Sequence, residues 1–191
     1  MSQALPAIDE HQDIRDAVRQ LCAGFDSTYW QSVDEQRGYP QAFVEALTQA
    51  GWLAALIPQP YGGSGLNLTQ ASVIMEEINL SGGNAGACHG QMYNMGTVLR
   101  HGSDKQKQTY LPRIASGEWR LQSMAVTEPG TGSDTTRLKT TAVKRGDRYV
   151  VNGQKVWCSG GRYSNWGILM ARTNPDAPKH EGISFFLLDM S

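Results

Sequence analysis

A loop near residue 130 has the composition of a phosphate-binding segment. Residues 124–134 read Met-Ala-Val-Thr-Glu-Pro-Gly-Thr-Gly-Ser-Asp. Gly130 and Gly132 lack a Cβ, so their backbone N–H groups can approach a ligand closely. Hydroxyl groups in the same loop add further donors, those of Thr127, Thr131 and Ser133. Because no Lys or Arg precedes Arg137, a bound anion would depend on N–H and O–H donors.

Spacing alone leaves two interpretations of this loop open. The G-x-G pattern lacks the third glycine of a dinucleotide-binding fingerprint, since Thr135 stands at that position. The sequence also has no G-K-[ST] of a P-loop. An ordinary turn in a strand-rich domain is as compatible with these residues as an anion site.

A second segment, residues 152–161, combines a large aromatic side chain with a hydroxyl group. We predict a strand over Lys155–Ser159, on which Trp157 and Ser159 share one face and Cys158 points away. A Trp can stack on a flat heteroaromatic ligand while the serine donates a hydrogen bond to its edge. Taken in isolation, a core Trp with an incidental Ser is the favoured interpretation.

The elements around these segments change character near residue 118. Before it, apolar residues recur at helical spacing and predict five helices, over residues 14–25, 43–50, 71–78, 88–99 and 104–114. After it, short runs with a period near two predict strands at 121–127, 138–144, 148–151, 155–159, 167–172 and 183–189. This order predicts an α+β protein with an all-α domain at residues 1–118 and an antiparallel β domain at 119–191. Because the chain stops after an apolar strand, we expect the second domain to be incomplete.

Charge and composition exclude several classes of protein. With 17 basic and 18 acidic residues, the chain has no broad basic face for nucleic acid. No apolar run is long enough to span a membrane, and residues 1–16 lack the features of a signal peptide. Three widely spaced cysteines and scattered histidines predict neither a disulfide framework nor a metal site. We therefore expect a cytoplasmic globular protein.

Together, the two segments and the helical half resemble the acyl-CoA dehydrogenase family of flavoproteins. Residues 127–134 resemble the signature T-E-P-x-x-G-S-D, and residues 153–157 resemble a second signature, G-Q-K-x-W. Further similar passages lie in the helical half: Gly51-Trp52-Leu53, Tyr61-Gly62-Gly63, Met75-Glu76-Glu77, His101-Gly102-Ser103 and Tyr110-Leu111-Pro112. The resemblance covers almost the whole chain.

The resemblance implies that the middle β domain holds FAD against the helical domain. The matching cofactor-binding positions are Met124, Val126, Thr127, Gly132, Ser133, Trp157 and Ser159. Among them, Thr127 is expected to bond the pyrimidine edge of the flavin, and Ser159 to donate to flavin N5. Gly132 and Ser133 are expected at the pyrophosphate, and Trp157 against the flavin ring. Ser133 is also expected to lie near the acyl-CoA.

The implied reaction is α,β-dehydrogenation of an acyl-CoA thioester in fatty acid metabolism. A Glu takes the α-proton while the β-hydrogen leaves as hydride to flavin N5, and the electrons pass to electron-transferring flavoprotein. In the family this base lies on a C-terminal four-helix bundle, which these 191 residues do not include. No Glu of the chain matches it, and Glu128 belongs to the flavin motif. The chain alone is therefore expected to be inactive, and the full-length enzyme to be a homodimer or homotetramer.

Other interpretations stay open at this point. An acyl-CoA oxidase or a flavin monooxygenase of the same fold would carry the same motifs, and a non-catalytic fragment or binding module would need no base. His89 falls where the family's acyl pocket has its floor, so a substrate-binding role is one interpretation. A core histidine satisfied by a carbonyl is the favoured one.

Overall fold

The computed structural model describes residues 11–191, in which six α-helices precede a five-stranded sheet. The helices are α1 Gln12–Cys22, α2 Ser27–Glu35, α3 Gln41–Gln49, α4 Leu68–Leu80, α5 Gly86–His101 and α6 Asp104–Ala115. The strands are β1 Leu121–Ala125, β2 Thr141–Arg145, β3 Arg148–Asn152, β4 Trp166–Arg172 and β5 Ile183–Asp189. The predicted order of a helical part followed by a strand-rich part is confirmed. The absence of a signal peptide was predicted from residues 1–16, of which residues 1–10 lie outside the described part.

Helix boundaries follow from side chains that cap the first turn. Ser103 and Gln106 form a reciprocal capping box at the start of α6, as the sequence predicted, and Asn67 and Gln70 form another at α4. The helix α2 was missed, because it buries no residue and so leaves no apolar stripe. It begins where the side chain of Asp26 accepts a hydrogen bond from the backbone of Tyr29 at 3.0 Å.

One apolar core joins the helices to the first strand. Helix α5 lies centrally in it, packing against β1, α6 and the short helix at Trp52–Ala54. The largest fully buried apolar side chains of this core are Phe43, Leu47, Ile57, Ile74, Ile78, Met95, Leu111, Ile114, Leu121 and Ile168. No helix within residues 11–191 is long and apolar enough to cross a lipid bilayer.

A buried carboxylate locks α1 against α4. Glu77 is 1% exposed, and its two oxygens accept hydrogen bonds from Arg15 at 2.5 Å and from Arg19 at 2.6 and 3.0 Å. Burial by itself raises the pKa of Glu77, but the two guanidinium groups outweigh burial and lower it. The ionised form is therefore the one that the fold stabilises.

The sheet has the strand order β1-β4-β2-β3, with β5 on the other edge of β4. Strand β4 runs parallel to β1 and, at Thr141↔Arg172, to β2, whereas β2–β3 and β4–β5 are antiparallel. The expectation of a wholly antiparallel domain is therefore wrong in this detail. Along the sequence, the hairpin β2–β3 comes between β1 and β4, and this long connection lets the chain return to pair β4 with β1 in the same direction.

We expect replacement of Glu77 by glutamine to cost about 3 kcal/mol of unfolding free energy, because it leaves two arginines without their buried partner. The matched control is Glu76→Gln: Glu76 is about half exposed, and within residues 11–191 its ion pair is with Arg15, at 2.9 Å. Its loss should cost under about 1 kcal/mol. Urea unfolding of the two variants measures both values, and equal costs would contradict the assigned role of Glu77.

Candidate flavin and acyl-CoA site

Glu128 is the buried anchor of the first motif. It is 7% exposed, and its carboxylate accepts hydrogen bonds from the backbone N–H of Lys139 at 2.6 Å and of Thr140 at 2.8 Å. The ammonium group of Lys155 donates to it at 3.0 Å and to the carbonyl of Val126 at 2.9 Å. Three separate segments of the chain therefore meet at one carboxylate.

The charge on Glu128 is strongly favoured. Burial raises its pKa, but hydrogen bonds from Thr140, Lys139 and Lys155 outweigh burial and lower the pKa to about 2. Such a carboxylate is a weak base at neutral pH, and its oxygens are already occupied. Glu128 therefore suits a structural role and not proton abstraction.

The same ion pair joins the two sequence motifs. Lys155 belongs to the second motif and Glu128 to the first, and the backbone N–H of Val156 donates to the carbonyl of Thr127 at 2.9 Å. Within the first motif, Glu128 and Thr131 exchange backbone hydrogen bonds of 2.9 and 3.1 Å, which close the turn between them. The turn and the second motif are thus fixed side by side.

Beyond this anchor, the loop presents free donors. The backbone N–H groups of Gly130, Gly132 and Ser133 donate to no acceptor among residues 11–191. Gly132 and Ser133 are exposed. A Cβ added at Gly130 or Gly132 would meet nothing within 4 Å. The loop can therefore offer several N–H groups to one anion, which is the donor set that a phosphate requires.

Trp157 does not lie on a strand, so the predicted strand over Lys155–Ser159 is wrong. Its backbone is left-handed, with φ 60°, and its side chain is 85% exposed. The physical reason lies in the hydrogen bonds on either side. The N–H of Val156 donates to the carbonyl of Thr127, and the N–H of Ser159 donates to the carbonyl of Trp157 at 2.8 Å, which closes a tight turn. A non-glycine residue in this conformation is strained, and here the strain leaves an indole face open.

A cleft of about 640 Å³ lies beside the second motif. Its walls are the segment 38–40, the first half of α5 and the turn 159–163. It brings together two of the predicted site residues, Ser159 and His89. His89 is exposed on the first turn of α5, and its ring lies 5.1 Å from that of Tyr93. The favoured interpretation of His89 as a core histidine is therefore wrong.

The remaining predicted residues occupy two further places. Met124 is half-buried on β1, and Val126 and Thr127 are half-buried directly after it. Gly132 and Ser133 stand on the exposed loop, away from the residues that line the cleft. Sequence reasoning missed the role of Lys155, although a lysine two residues before an expected ligand-facing Trp was the available signal. It also missed Tyr39 and Gln122, which line the cleft but belong to no motif.

The stabilising contribution of Glu128 should depend on pH. Because its folded pKa of about 2 lies below the ordinary 4.5, its contribution is present above pH 4.5 and is lost as pH falls towards 2. The difference corresponds to about 3 kcal/mol, of which about 2 kcal/mol should be lost by about pH 3. Urea unfolding of the protein and of Glu128→Gln, measured between about pH 2 and pH 4.5, isolates the contribution of Glu128 to the free energy of unfolding. The variant lacks the ionisable group and so lacks this pH dependence.

Glu118→Gln serves as the control for this titration, since Glu118 is more than half exposed and lies 3.6 Å from Arg113. Its pH profile should follow that of the unaltered protein within about 0.5 kcal/mol. A Glu128→Gln profile that coincides with the unaltered protein throughout would show that Glu128 carries no such linkage.

Comparison with known proteins accounts for this arrangement. Residues 8–118 match the family model "Acyl-CoA dehydrogenase, N-terminal domain", and residues 123–191 match "Acyl-CoA dehydrogenase, middle domain". Acyl-CoA dehydrogenase FadE26 of Mycobacterium tuberculosis is 38% identical over 164 residues, which are 82% of this chain and 40% of the relative.

Solved structures agree in fold with this chain. The crystal structure of an acyl-CoA dehydrogenase from Geobacillus kaustophilus superposes with a TM-score of 0.85 at 30% identity, covering 100% of this chain and 50% of that one. A chain of "Electron transferring flavoprotein of Acidaminococcus fermentans: Towards a mechanism of flavin-based electron bifurcation" also gives a TM-score of 0.85, at 27% identity and with the same coverage. The chain spans about half the length of the relatives it matches. It belongs to the acyl-CoA dehydrogenase family.

Proposed function

We propose that this chain forms one side of the FAD and acyl-CoA site of an enzyme that dehydrogenates acyl-CoA thioesters at the α,β position. The observation that carries the proposal is the buried ion pair of Glu128 and Lys155, which fixes the two motifs side by side, and the second motif leads into Ser159 in the lining of an open cleft. Membership of the acyl-CoA dehydrogenase family supports the same activity. We further propose that residues 1–118 act as the helical domain and 119–191 as part of the β domain.

The residues of this chain fit FAD. The unbonded N–H groups of Gly132 and Ser133 suit its pyrophosphate, which needs several donors converging on anionic oxygens. The open indole of Trp157 suits the flat ring, along which the half-buried Met124, Val126 and Thr127 would lie. When bound, FAD would accept the hydride that leaves the β-carbon of the substrate.

Ser159 and His89 face the acyl side of the site. The hydroxyl of Ser159 is exposed at the mouth of the cleft, where it would donate to flavin N5. His89 and Tyr93 would limit the depth available to the acyl group, and Ser133 would lie nearer the CoA moiety. We expect the base that takes the α-proton to come from outside these residues, because the lowered pKa of Glu128 makes it a weak base and three donors already occupy its oxygens.

Electron-transferring flavoprotein is the proposed electron acceptor of the full-length enzyme. The likeness to a chain from the Acidaminococcus fermentans structure supports a link of this fold to flavin-based electron transfer. We propose that the full-length enzyme works as a homodimer or homotetramer, in which a neighbouring subunit completes the pyrophosphate site.

FAD binding tests the proposal directly. The protein should retain FAD through desalting, or bind it in a titration that follows quenching of flavin fluorescence. Trp157→Ala should weaken binding about tenfold, because the indole loses a stacking contact of about 1.4 kcal/mol. The matched control is Phe185→Ala, which removes a second exposed aromatic side chain, 53% exposed on β5.

Equal weakening by the two substitutions would show nonspecific apolar binding and contradict the assigned role of Trp157. Failure of the unaltered protein to bind either FAD or an acyl-CoA would contradict the proposed function itself. Circular dichroism of each variant separates a lost contact from a lost fold.

A further inference from the structure

Gln122 carries a buried amide group that is only half satisfied. It lies on β1, is 4% exposed, and its Oε1 accepts a hydrogen bond from the hydroxyl of Tyr39 at 2.7 Å. Its Nε2 has no acceptor among residues 11–191. Buried amide donors are almost always bonded, because leaving one unpaired costs free energy. Nε2 itself is buried, but Gln122 lines the cleft, so a ligand that packs against it there can supply the missing acceptor.

The orientation of this amide is fixed by its neighbours. The ring of Tyr39 stacks on that of Tyr163, with centroids 4.6 Å apart and planes inclined by 23°. Burial raises the pKa of Tyr39, although Arg120 and the bond to Gln122 oppose the shift, so its hydroxyl keeps the proton that it donates. Since Oε1 is held by Tyr39, the NH₂ group is the part of Gln122 left for a ligand.

Two glycines bring the walls of the cleft close to Gln122. A Cβ at Gly90 on α5 would lie 3.0 Å from the carbonyl oxygen of Gln122, and one at Gly160 would lie 2.9 Å from it. Helix α5 and the turn after Ser159 therefore both pack directly on this residue. The free donor sits where the helical and strand-rich parts meet, beside the proposed reaction site.

The chemistry of the cleft selects the kind of acceptor. No Asp, Glu, Lys or Arg is among the described residues that line the cleft, although Arg120 and Arg162 lie over the rings of Tyr39 and Tyr163, at 5.5 and 5.8 Å. A carboxylate would therefore find only His89 as a basic group in the lining itself, whereas a hydroxyl or keto oxygen needs only one donor. Tyr39, Tyr93 and Tyr163 supply apolar ring surface for the carbon skeleton around that oxygen.

We propose that Gln122 donates a hydrogen bond from Nε2 to a neutral oxygen on the acyl group, so that the site favours acyl-CoA thioesters bearing a hydroxyl or keto group beyond the thioester. The inference rests on the proposed function, since it assigns the cleft to the acyl group. Gln122 is thereby a specificity-determining residue, positioned by Tyr39.

Affinities for matched thioesters test this inference. The probes are octanoyl-CoA, ω-hydroxyoctanoyl-CoA and the methyl-ketone analogue, whose carbonyl is next to the terminal carbon. The dissociation constant of each is measured from the quenching of protein fluorescence. The protein should bind at least one oxygenated probe about fivefold more tightly than octanoyl-CoA. Gln122→Leu should abolish this preference, because it removes the donor.

Two further variants keep the test sharp if Gln122→Leu fails to fold. Tyr39→Phe retains the ring but releases the amide to rotate, so the preference should fall in part. Gln91→Leu is the matched control: Gln91 is a buried glutamine on α5 that donates to the carbonyl of Leu53 at 3.4 Å and lies outside the cleft lining. It should leave the preference unchanged.

The outcomes separate this inference from the function on which it rests. Equal binding of all three probes, or a preference that survives both Gln122→Leu and Tyr39→Phe, overturns the role of Gln122 alone. Failure of every thioester to bind the unaltered protein overturns the proposed function, and the inference with it.

Discussion

The candidate site depends on one buried ion pair, between Glu128 and Lys155. The two side chains are 8% exposed or less and come from segments 27 residues apart, with the hairpin β2–β3 between them. Charges inside a protein are costly unless they are paired and hydrogen-bonded. Here two backbone N–H groups and a carbonyl complete the pair, so only one arrangement of the two motifs satisfies it.

This anchor explains how neighbouring groups can remain unsatisfied. The exposed N–H groups of Gly130, Gly132 and Ser133 have no acceptor among residues 11–191, and the left-handed backbone of Trp157 is unfavourable in isolation. They persist because the residues on either side, Glu128 and Val156, are held by bonds that a relaxed loop would lose. Within each motif, one residue therefore stabilises the fold while a neighbouring residue is left free to contact a ligand.

Sequence patterns predicted the parts of the fold that depend on local periodicity. The stripe through Phe43 and Leu47 marked α3 correctly, whereas α2 has no fully buried residue and only two partly buried aromatic side chains against the core. The strand predicted around Trp157 is wrong because the backbone there is fixed by a distant residue. The N–H of Val156 donates to the carbonyl of Thr127, a contact that local sequence patterns do not reveal. The two motifs were located from residue types and family resemblance, but their connection through Lys155 is a long-range contact that spacing does not encode.

Strand β1 is the element through which the helical and strand-rich parts communicate. Gln122 lies where the pairing of β1 with β4 shifts register, between Leu121 and Ser123, and the strand continues directly into the anchored loop at Val126 and Glu128. Its other contacts are with α5, at Gly90, and with β4. Because Gly90 lies so close to the carbonyl of Gln122 that a Cβ there would come within 3.0 Å of it, a larger residue at position 90 would force α5 and β1 apart. The wall that α5 gives to the cleft therefore depends on the absence of a side chain at this contact with β1.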